Sequence, residues 1–581
     1  MPEDTALPED TVLPENTALP EDTALPEDTA LPENTALPEN TVLPEDTVLP
    51  VVVIGGGPVG LSLAMELRYH GIGCAVIEPR TAVSAVRPRA KTTSARTMEL
   101  FRRWGFAEQI RSRAPIPVDW SSDVVFCTAA AGAEVTRFTG TLGLGLAGDD
   151  LVAEPGQQVG QPVVEQALRD ALAEAGDVRL LFGYRAVGVD QDAHGVTVRV
   201  EGADGAVSTI RARYAVGADG ARSVVRAAAG AVYEGGNAGR PNLSIVFRSR
   251  RLGALIADRA VHRWVLNPAA PGVVGPMDLG DTWWAIATGR PEDDRDADPV
   301  ALVRALVGAD IDVAVLGTDP WQARSLLATA YRRGRLLLAG DAAHQNPPWG
   351  GHGFNTGVGD AVNLGWKLAA VLHGWAPAEL LDTYESERRP VAAETIRIAS
   401  ENARMVSTDL ASATLMGGPE AFAAARPAAA ETVQRTKRIE FHCLGLVLGY
   451  GYGSHALVQT TDGSDYRPVA AAGNRLPHHW LAPGDSLYDH LGSGFAVLGA
   501  DDAAGELVAA AERRGVPVRQ LGARLVDSSG RYGADVVLVR PDQHIAWLGG
   551  RLSAPEADTV VDAVLRRGLL ESAEHALTGT S

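Results

Sequence analysis

The chain has 581 residues, 46% of them hydrophobic, enough for two to four domains with cores of their own. The net charge is −20 with no basic patch, which argues against a nucleic-acid partner. Three scattered cysteines, Cys74, Cys127 and Cys443, with no C-x-x-C exclude a disulfide framework or a zinc site and fit a reducing cytoplasm. No apolar run is long enough to span a membrane, and the N-terminus lacks the regions of a signal peptide.

Pro2 to Leu49 is a six-residue repeat, P-E-D-T-A-L and variants, in eight copies with thirteen acids and no base. Without it the charge falls from −20 to about −7, ordinary for an enzyme. With proline every sixth residue and no packable face, residues 1–49 are expected to be a disordered tail.

Val51 to Glu78 is the stretch around which the rest of the chain is organised. The β-branched run Val51–Ile54 reads as a buried parallel strand. Gly55, Gly57 and Gly60 then give G-x-G-x-x-G at the start of a helix that Gly71 stops. A second strand, Cys74–Ile77, ends on Glu78. The first glycine makes the tight turn, the second admits a pyrophosphate against the backbone, and the third lets helix and strand pack closely. Glu78 can bond the ribose hydroxyls and would repel a 2′-phosphate there, so the expected nucleotide is FAD or NAD.

Helical spacing resumes near Ser94, and the cations Arg87, Arg89, Lys91 and Arg96 sit just past the nucleotide strand. Of these Arg89 is expected to neutralise a pyrophosphate. Val159–Leu172 reads as an amphipathic helix with Gln161 and Pro162 at its start. Strands at Val178–Phe182, Tyr184–Val189 and Val196–Val200 read as a β-meander. A further strand ends on Asp219-Gly220 and leads into a helix with Arg222 and Arg226. From Gly236 to Ala323 long strands carry Trp264, Trp283, Trp284 and Trp321, which could line a pocket for a planar ligand. Arg335–His344 is a buried strand ending on Gly340-Asp341, followed by a shaped Pro/Gly loop, Pro347–Gly353, and a helix from about Asn355. His344 reads as structural. The N-terminus of that helix is a second site of positive potential.

The three motifs in this order, G-x-G-x-x-G, Asp219-Gly220 and Gly340-Asp341 with its G-D-A-A-H-x-x-P-P-x-G-G-x-G-x-N continuation, resemble the single-component FAD-dependent aromatic hydroxylases. The resemblance covers Val51 to about Tyr452. R-P-R-A-K-T-T-S-A-R-T-M-E-L-F-R-R-W-G (Arg87–Gly105) is most similar to the tetracenomycin-type members that tailor aromatic polyketides. Leu448–Ser454, Gly473–Trp480 and Tyr532–Trp547 resemble the C-terminal thioredoxin-like domain of this subgroup, without redox cysteines. Trp547-Leu548 stands where the family usually shows Trp-Arg.

The resemblance implies an α/β fold. A Rossmann-like FAD-binding domain (residues 50–235 and 325–400) would be interleaved with a mainly β substrate domain (236–324), followed by a helical linker (401–465) and a thioredoxin-like domain (466–575). It implies FAD held by Gly55, Gly57, Val59, Gly60, Glu78, Arg80, Arg89, Gln161, Asp219, Asp341 and the backbone of Gly353, Phe354 and Asn355. NADPH or NADH would be the cosubstrate, and a flavin C4a-hydroperoxide would hydroxylate a polycyclic aromatic polyketide in antibiotic biosynthesis. No catalytic base or metal is assigned, and a cytoplasmic monomer or homodimer is expected. The same scaffold could serve Baeyer–Villiger insertion or antibiotic inactivation. A dehydrogenase would explain Gly55–Glu78 but not the Gly340–Asn355 stretch. A flavin halogenase lacks its W-x-W-x-I-P, and a non-catalytic antibiotic-binding protein would retain no flavin.

Overall fold

The computed structural model describes residues 47–84, 90–256, 258–290, 297–405, 407–453, 465–522 and 530–571. Strand β1 (Val48–Ile54) begins three residues before Val51, because Val48 and Leu49 pair with Arg211 and Ala212. The last two residues of the repeat thus belong to the sheet, and Leu49 is buried. Helix α1 (Pro58–Tyr69) and strand β2 (Cys74–Glu78) follow as the glycines and the β-branched runs dictate, with Gly71 at φ 72° just past the helix.

The first sheet has the order Arg332–Arg333, Leu336–Leu338, Val207–Gly217, β1, β2, Arg179–Phe182. From Leu336–Leu338 to Arg179–Phe182 neighbouring strands run parallel. Ile54 lies opposite both Ile77 and Gly217, and Gly217 opposite Leu338. Four strands therefore end level, and the residues that follow them share one edge, the position at which open α/β sheets bind ligands. The expected meander holds only in part. Arg185–Gln191, Val196–Glu201 and Val207–Gly217 form it, whereas Arg179–Phe182 leaves it to pair with β2.

The second sheet has eight strands in the order His344–Gln345, Ala314–Ala328, Tyr233–Arg248, Thr282–Ala287, Gly272–Pro276, His262–Val265, Val124–Cys127, Glu134–Phe138. It corrects the expected layout in one respect. Val124–Cys127 and Glu134–Phe138 come from within the segment assigned to the first part of the FAD domain, yet they complete this sheet. Val124, Val125, Phe126 and Cys127 are all buried, so the strand is apolar on both faces and needs a covered position. Helix Pro419–Phe441, expected as linker, packs Val433 and Phe441 onto one face of this sheet.

The C-terminal region is a four-stranded mixed sheet, in the order Val518–Leu521, Phe495–Gly499, Val536–Val539, Ile545–Gly549, with helices Asp501–Arg513 and Ala554–Arg567. This is a thioredoxin-like arrangement without cysteines, since the three free thiols lie elsewhere. Its core is shared with Trp366 and Ala370 of the Gly353–His373 helix. No helix among the described residues is long and apolar enough to cross a membrane.

A buried ionic cluster joins this region to the rest. Glu387 accepts from both Arg540 guanidinium nitrogens (2.8 and 2.9 Å), from Lys367 Nζ (2.7 Å) and from Asn363 Nδ2 (2.6 Å). Burial pushes the Glu387 carboxyl up, but Arg540 and Lys367 outweigh it and hold the pKa at about 2 instead of 4.5. A depressed carboxylate contributes stability above its unfolded pKa and loses it as pH falls through the folded one. Glu387 should therefore contribute about 3 kcal/mol at pH 7, lost between about pH 4.5 and 2. Urea denaturation at pH 7, 5 and 3 tests this. Glu387→Gln should be destabilised by about 3–5 kcal/mol at pH 7, with a deficit that shrinks on acidification; a deficit constant with pH would disprove the assignment.

Candidate active site

At the level strand tips the sequence places glycines where side chains cannot go. Gly55 has φ 109°, and a Cβ on it would fall 2.2 Å from Ala218 O. A Cβ on Gly60 would fall 1.9 Å from Gly55 O, and one on Gly340 2.9 Å from Val59 Cγ2. Gly57 is different, since a Cβ there would meet nothing within 4 Å. Its lack of a side chain answers to open space at the head of α1. That helix has no side-chain cap and no acid in its first turn. The Gly353–His373 helix, which starts after His352, lacks both as well. Two helices thus present uncapped N–H groups and the positive ends of their dipoles to the same edge, an arrangement that suits an anionic ligand.

Glu78 is buried and fixed from both sides. Its Oε2 accepts from Gly56 N–H at 2.9 Å, and its Oε1 from the backbone N–H (3.0 Å) and Nε (2.7 Å) of Arg80. Arg80 continues to Glu165, 3.1 Å away. Arg80 is therefore the partner of Glu78 and holds the carboxylate in place. Gln161 is the first residue of helix Gln161–Ala175 and donates its backbone N–H to Ala90 O at 2.9 Å. That bond ties it to the segment leading into α2 (Ala95–Arg103). Arg89 lies outside the described residues.

Asp219 receives Val224 N–H on Oδ2 (2.7 Å), which starts the short helix after the turn at Gly220 (φ 74°). Its Oδ1 is buried without a partner among the described residues, and burial raises its pKa. Arg226 spans to the second motif, donating to Ala342 O at 3.1 Å, and stacks over Tyr233, whose hydroxyl donates to the backbone carbonyl of Asp341. Asp341 itself is exposed at the strand tip.

The Pro347–Gly353 loop is held by Asn355. Its Oδ1 accepts from Ser94 N–H (2.9 Å) and Thr97 Oγ1 (2.7 Å), and its Nδ2 donates to Thr92 O (3.1 Å) and Gly351 O (2.7 Å). Below the loop, Asp360 accepts from Gly340 N–H (3.1 Å), His344 Nε2 (2.8 Å) and Arg388 Nε (2.8 Å). His344 is thus a buried brace of the Gly340-Asp341 turn. Sequence reading missed Asp360; the signal available was one acid among small and apolar residues in the helix after the loop.

Through Trp349 the loop packs onto an aromatic face of the second sheet. Trp264, Trp284, Phe126, Trp349 and Phe441 share one core cluster, against which Trp321 packs. Trp264 stacks on Phe126 at 5.7 Å and lies 5.4 Å from Trp349. Trp283 does not belong to it. Successive strand residues point to opposite faces, and Trp283 packs in a separate core with Phe247 and Leu252. Nor is Arg96 at the cofactor edge: its guanidinium bonds Gln543 Oε1 (2.6 Å), Glu99 (3.1 Å) and Asp542 O (2.9 Å), joining α2 to the C-terminal region.

Comparison with known proteins agrees with this geometry. The chain matches the FAD binding domain family over residues 48–399 and the aromatic-ring hydroxylase C-terminal family over residues 469–569. The 4-methyl-5-nitrocatechol 5-monooxygenase of a Burkholderia species is 32% identical over 556 residues, 88% of this chain and 96% of that protein. The tetracenomycin B2 monooxygenase-dioxygenase of Streptomyces olivaceus is 33% identical over 564 residues, 89% of this chain and 98% of that protein. The solved structure of the rebeccamycin biosynthetic enzyme RebC with reduced flavin superposes with a TM-score of 0.81 at 33% identity, covering 89% of this chain and 99% of that one.

The two glycines of the first turn should separate folding from ligand binding. Gly60→Ala drives a Cβ into backbone and should give little soluble protein. Gly57→Ala meets no neighbour, so its apoprotein should melt close to the parent while retaining at least about tenfold less FAD, a loss of about 1.4 kcal/mol in binding. Absorbance of the purified variants and melting of the apoproteins check both outcomes.

Proposed function

This chain belongs to the FAD-dependent aromatic-ring hydroxylases, and we propose that it is the member that hydroxylates a polycyclic aromatic polyketide, with NADPH or NADH as reductant. The observation that carries the reading is the aromatic face of Trp264, Trp284 and Trp321, which Trp349 of the Pro347–Gly353 loop meets. A face of that breadth suits a multi-ring planar ligand. It is supported by relatives whose names include a monooxygenase-dioxygenase of tetracenomycin B2 and a rebeccamycin biosynthetic enzyme. A nitrocatechol monooxygenase is about as similar over the whole chain, so overall identity does not choose the substrate and the face must.

In this reading Gly57 and the head of α1 receive the FAD pyrophosphate, and Glu78, held by Arg80, accepts from the adenosine ribose. A carboxylate has about four lone-pair sites, so the two bonds from Arg80 and one from Gly56 leave room for a hydroxyl. Gln161, Arg89 and Asp341 complete the cradle. The backbone N–H groups from Gly353 to Asn355 meet the edge of the flavin, where the helix N-terminus favours negative charge. Bound FAD, reduced by the nicotinamide nucleotide and exposed to oxygen, supplies an electrophilic oxygen atom. The protein holds the ring in place and keeps water out, and Asn355 does the second by fastening the loop to Thr92, Ser94 and Thr97. We divide the chain accordingly into an FAD domain, a substrate sheet that includes Val124–Phe138, and a C-terminal module with a supporting role.

A tetracyclic phenolic quinone incubated with the enzyme, NADPH or NADH and ¹⁸O₂ should gain one labelled oxygen per turnover. Nicotinamide oxidation with no labelled product from any multi-ring phenol, but labelled product from a single-ring phenol, would move the substrate class to small phenols. Asp341→Ala should fold and lose FAD on dialysis; a fully flavin-loaded variant would remove Asp341 from the cradle.

A further inference from the structure

The chain has three lysines among its 52 basic residues, and none of the three is exposed. Two are buried and neutralised. Lys367 donates to Glu387 at 2.7 Å, and Lys437 donates to Glu440 at 2.7 Å and to Asn402 O at 3.0 Å. Lys91 has neither. Among the described residues no carboxylate or carbonyl takes its Nζ, which lies 4.5 Å over the ring of Trp284.

Its place in the fold gives that difference meaning. Lys91 immediately precedes Thr92, whose carbonyl anchors Asn355 and hence the Pro347–Gly353 loop. Its backbone carbonyl accepts from Val159 N–H at 2.8 Å, which fixes the main chain. The side chain then crosses from the loop side to the aromatic face. Trp284 lies over Gly275, where a Cβ would fall 2.6 Å from the indole, and meets His262 edge-on at 5.2 Å. Among the described residues the indole nitrogens of Trp264 and Trp284 and Nε2 of His262 are buried without partners. Unpartnered buried polar atoms are costly, and those on this wall would gain from oxygens supplied by a ligand.

We propose that Lys91 binds the acidic oxygen of the aromatic substrate: the phenol O–H breaks, its proton passes to Lys91 Nζ, and the resulting phenolate is held against the ammonium beside Trp284. This rests on the reading of the site as that of a phenol hydroxylase and names the base which that reading leaves open. Ionisation makes the ring more electron-rich, as attack on an electrophilic oxygen requires. Lysine suits the role where arginine does not, because arginine does not deprotonate and a desolvated lysine does. Desolvation lowers the Lys91 pKa to about 8, so a share of the amine is free to accept a proton near neutral pH. Of the titratable groups on the elements packed around it, His262 is kept neutral, its pKa held down to about 3 by burial and by the charge of Lys91. His352, heading the loop helix, is likewise held down to about 4 by burial.

The test uses 1,8-dihydroxyanthraquinone, whose ionised and neutral forms differ in the visible, as probe with the oxidised FAD-loaded enzyme. Difference spectra across pH should show the bound probe ionising at least one pH unit below the free probe. Lys91→Met should abolish that shift at unchanged flavin content, and Lys91→Arg should restore it in part, because a fixed cation still favours the phenolate. A bound probe that stays neutral in the parent enzyme overturns the proposal, as does a phenolate band that persists in Lys91→Met. The first of these needs no variant, so a misfolded Lys91→Met leaves the proposal testable. Failure of the parent enzyme to bind this or any multi-ring phenol, by equilibrium dialysis, would instead overturn the substrate reading and the role of Lys91 with it.

Discussion

Two helices whose starts pack one valine side chain against bare glycine backbone set the rest of the structure. Val59 at the head of α1 sits against Gly340 and Gly357, and a Cβ on Gly357 would fall 2.5 Å from Val59 Cγ2 and 3.1 Å from Gly340 Cα. Gly60 closes on Gly55 in the same way. Close packing of this kind cannot be relaxed by rotamer changes, because one partner is backbone. The strand tips, the Gly340-Asp341 turn and the starts of both helices are consequently drawn together at one edge. Positive potential from two dipoles then converges at the edge proposed for the pyrophosphate and the flavin. Chain segments about 300 residues apart thereby act as one site.

The groups that keep that edge in register are polar and buried. Asp360 ties Gly340, His344 and Arg388 together, and Arg388 reaches Tyr452 Oη at 3.4 Å. Asp542 accepts from Arg540 and Trp366, while Arg540 clasps Glu387. Arg475 pairs with Glu99 of α2. Networks of this kind add little net stability over an apolar core of the same shape, because desolvation offsets the Coulomb term. Their geometric demands are strict, however, and those of Asp542 and Arg475 join the C-terminal region to the helix that follows the Pro347–Gly353 loop and to α2. A thioredoxin-like module without redox cysteines thus acts as a buttress for the elements that frame the loop. That role depends on placement alone and needs no thiol chemistry.

The cofactor edge is legible in the sequence because its constraints are local. G-x-G-x-x-G, Glu78 and the Gly340–Asn355 stretch each carry their reason within a few residues, and helix and strand boundaries there agree to within a few positions. Long-range partnership is far less legible. Val124–Cys127 reads as any buried strand, and nothing local says that it pairs with His262–Val265. Arg179–Phe182 reads as part of a meander because sequential strands usually neighbour each other, but the crossover to β2 prevails. Trp283 and Trp284 are adjacent and indistinguishable by composition, yet the pleat sends them to different cores. Arg96 and Lys91 read as members of one cationic cluster. Arg96 is the second residue of a helix whose other partner lies more than 400 positions away, and no spacing rule could find it.

In the proposed reading, the electrostatics of the site are completed from the substrate side. Uncapped helix ends and an unpaired lysine are each unfavourable in an empty protein, since their donors and charge lose water and gain nothing in return. In this fold the lysine lies over Trp284 of the aromatic wall, and the two helix ends stand at the strand tips. An electron-rich anionic ring lying between them would satisfy the lysine, while reduced flavin, also anionic, would satisfy the helix. Two negative charges could not share a desolvated site without such flanking, because their mutual repulsion grows as the local dielectric falls. In the proposed reading, Lys91 over Trp284 and the N-terminus of the loop helix would give each of the two charges a positive partner of its own. The same arrangement makes stability dependent on ligand binding, since any ligand that meets these donors only in the folded state shifts the folding equilibrium by mass action. In a site that must admit a planar ligand and then exclude water, a polypeptide left incomplete without its cofactor and its substrate is the expected consequence of preparing charges for both.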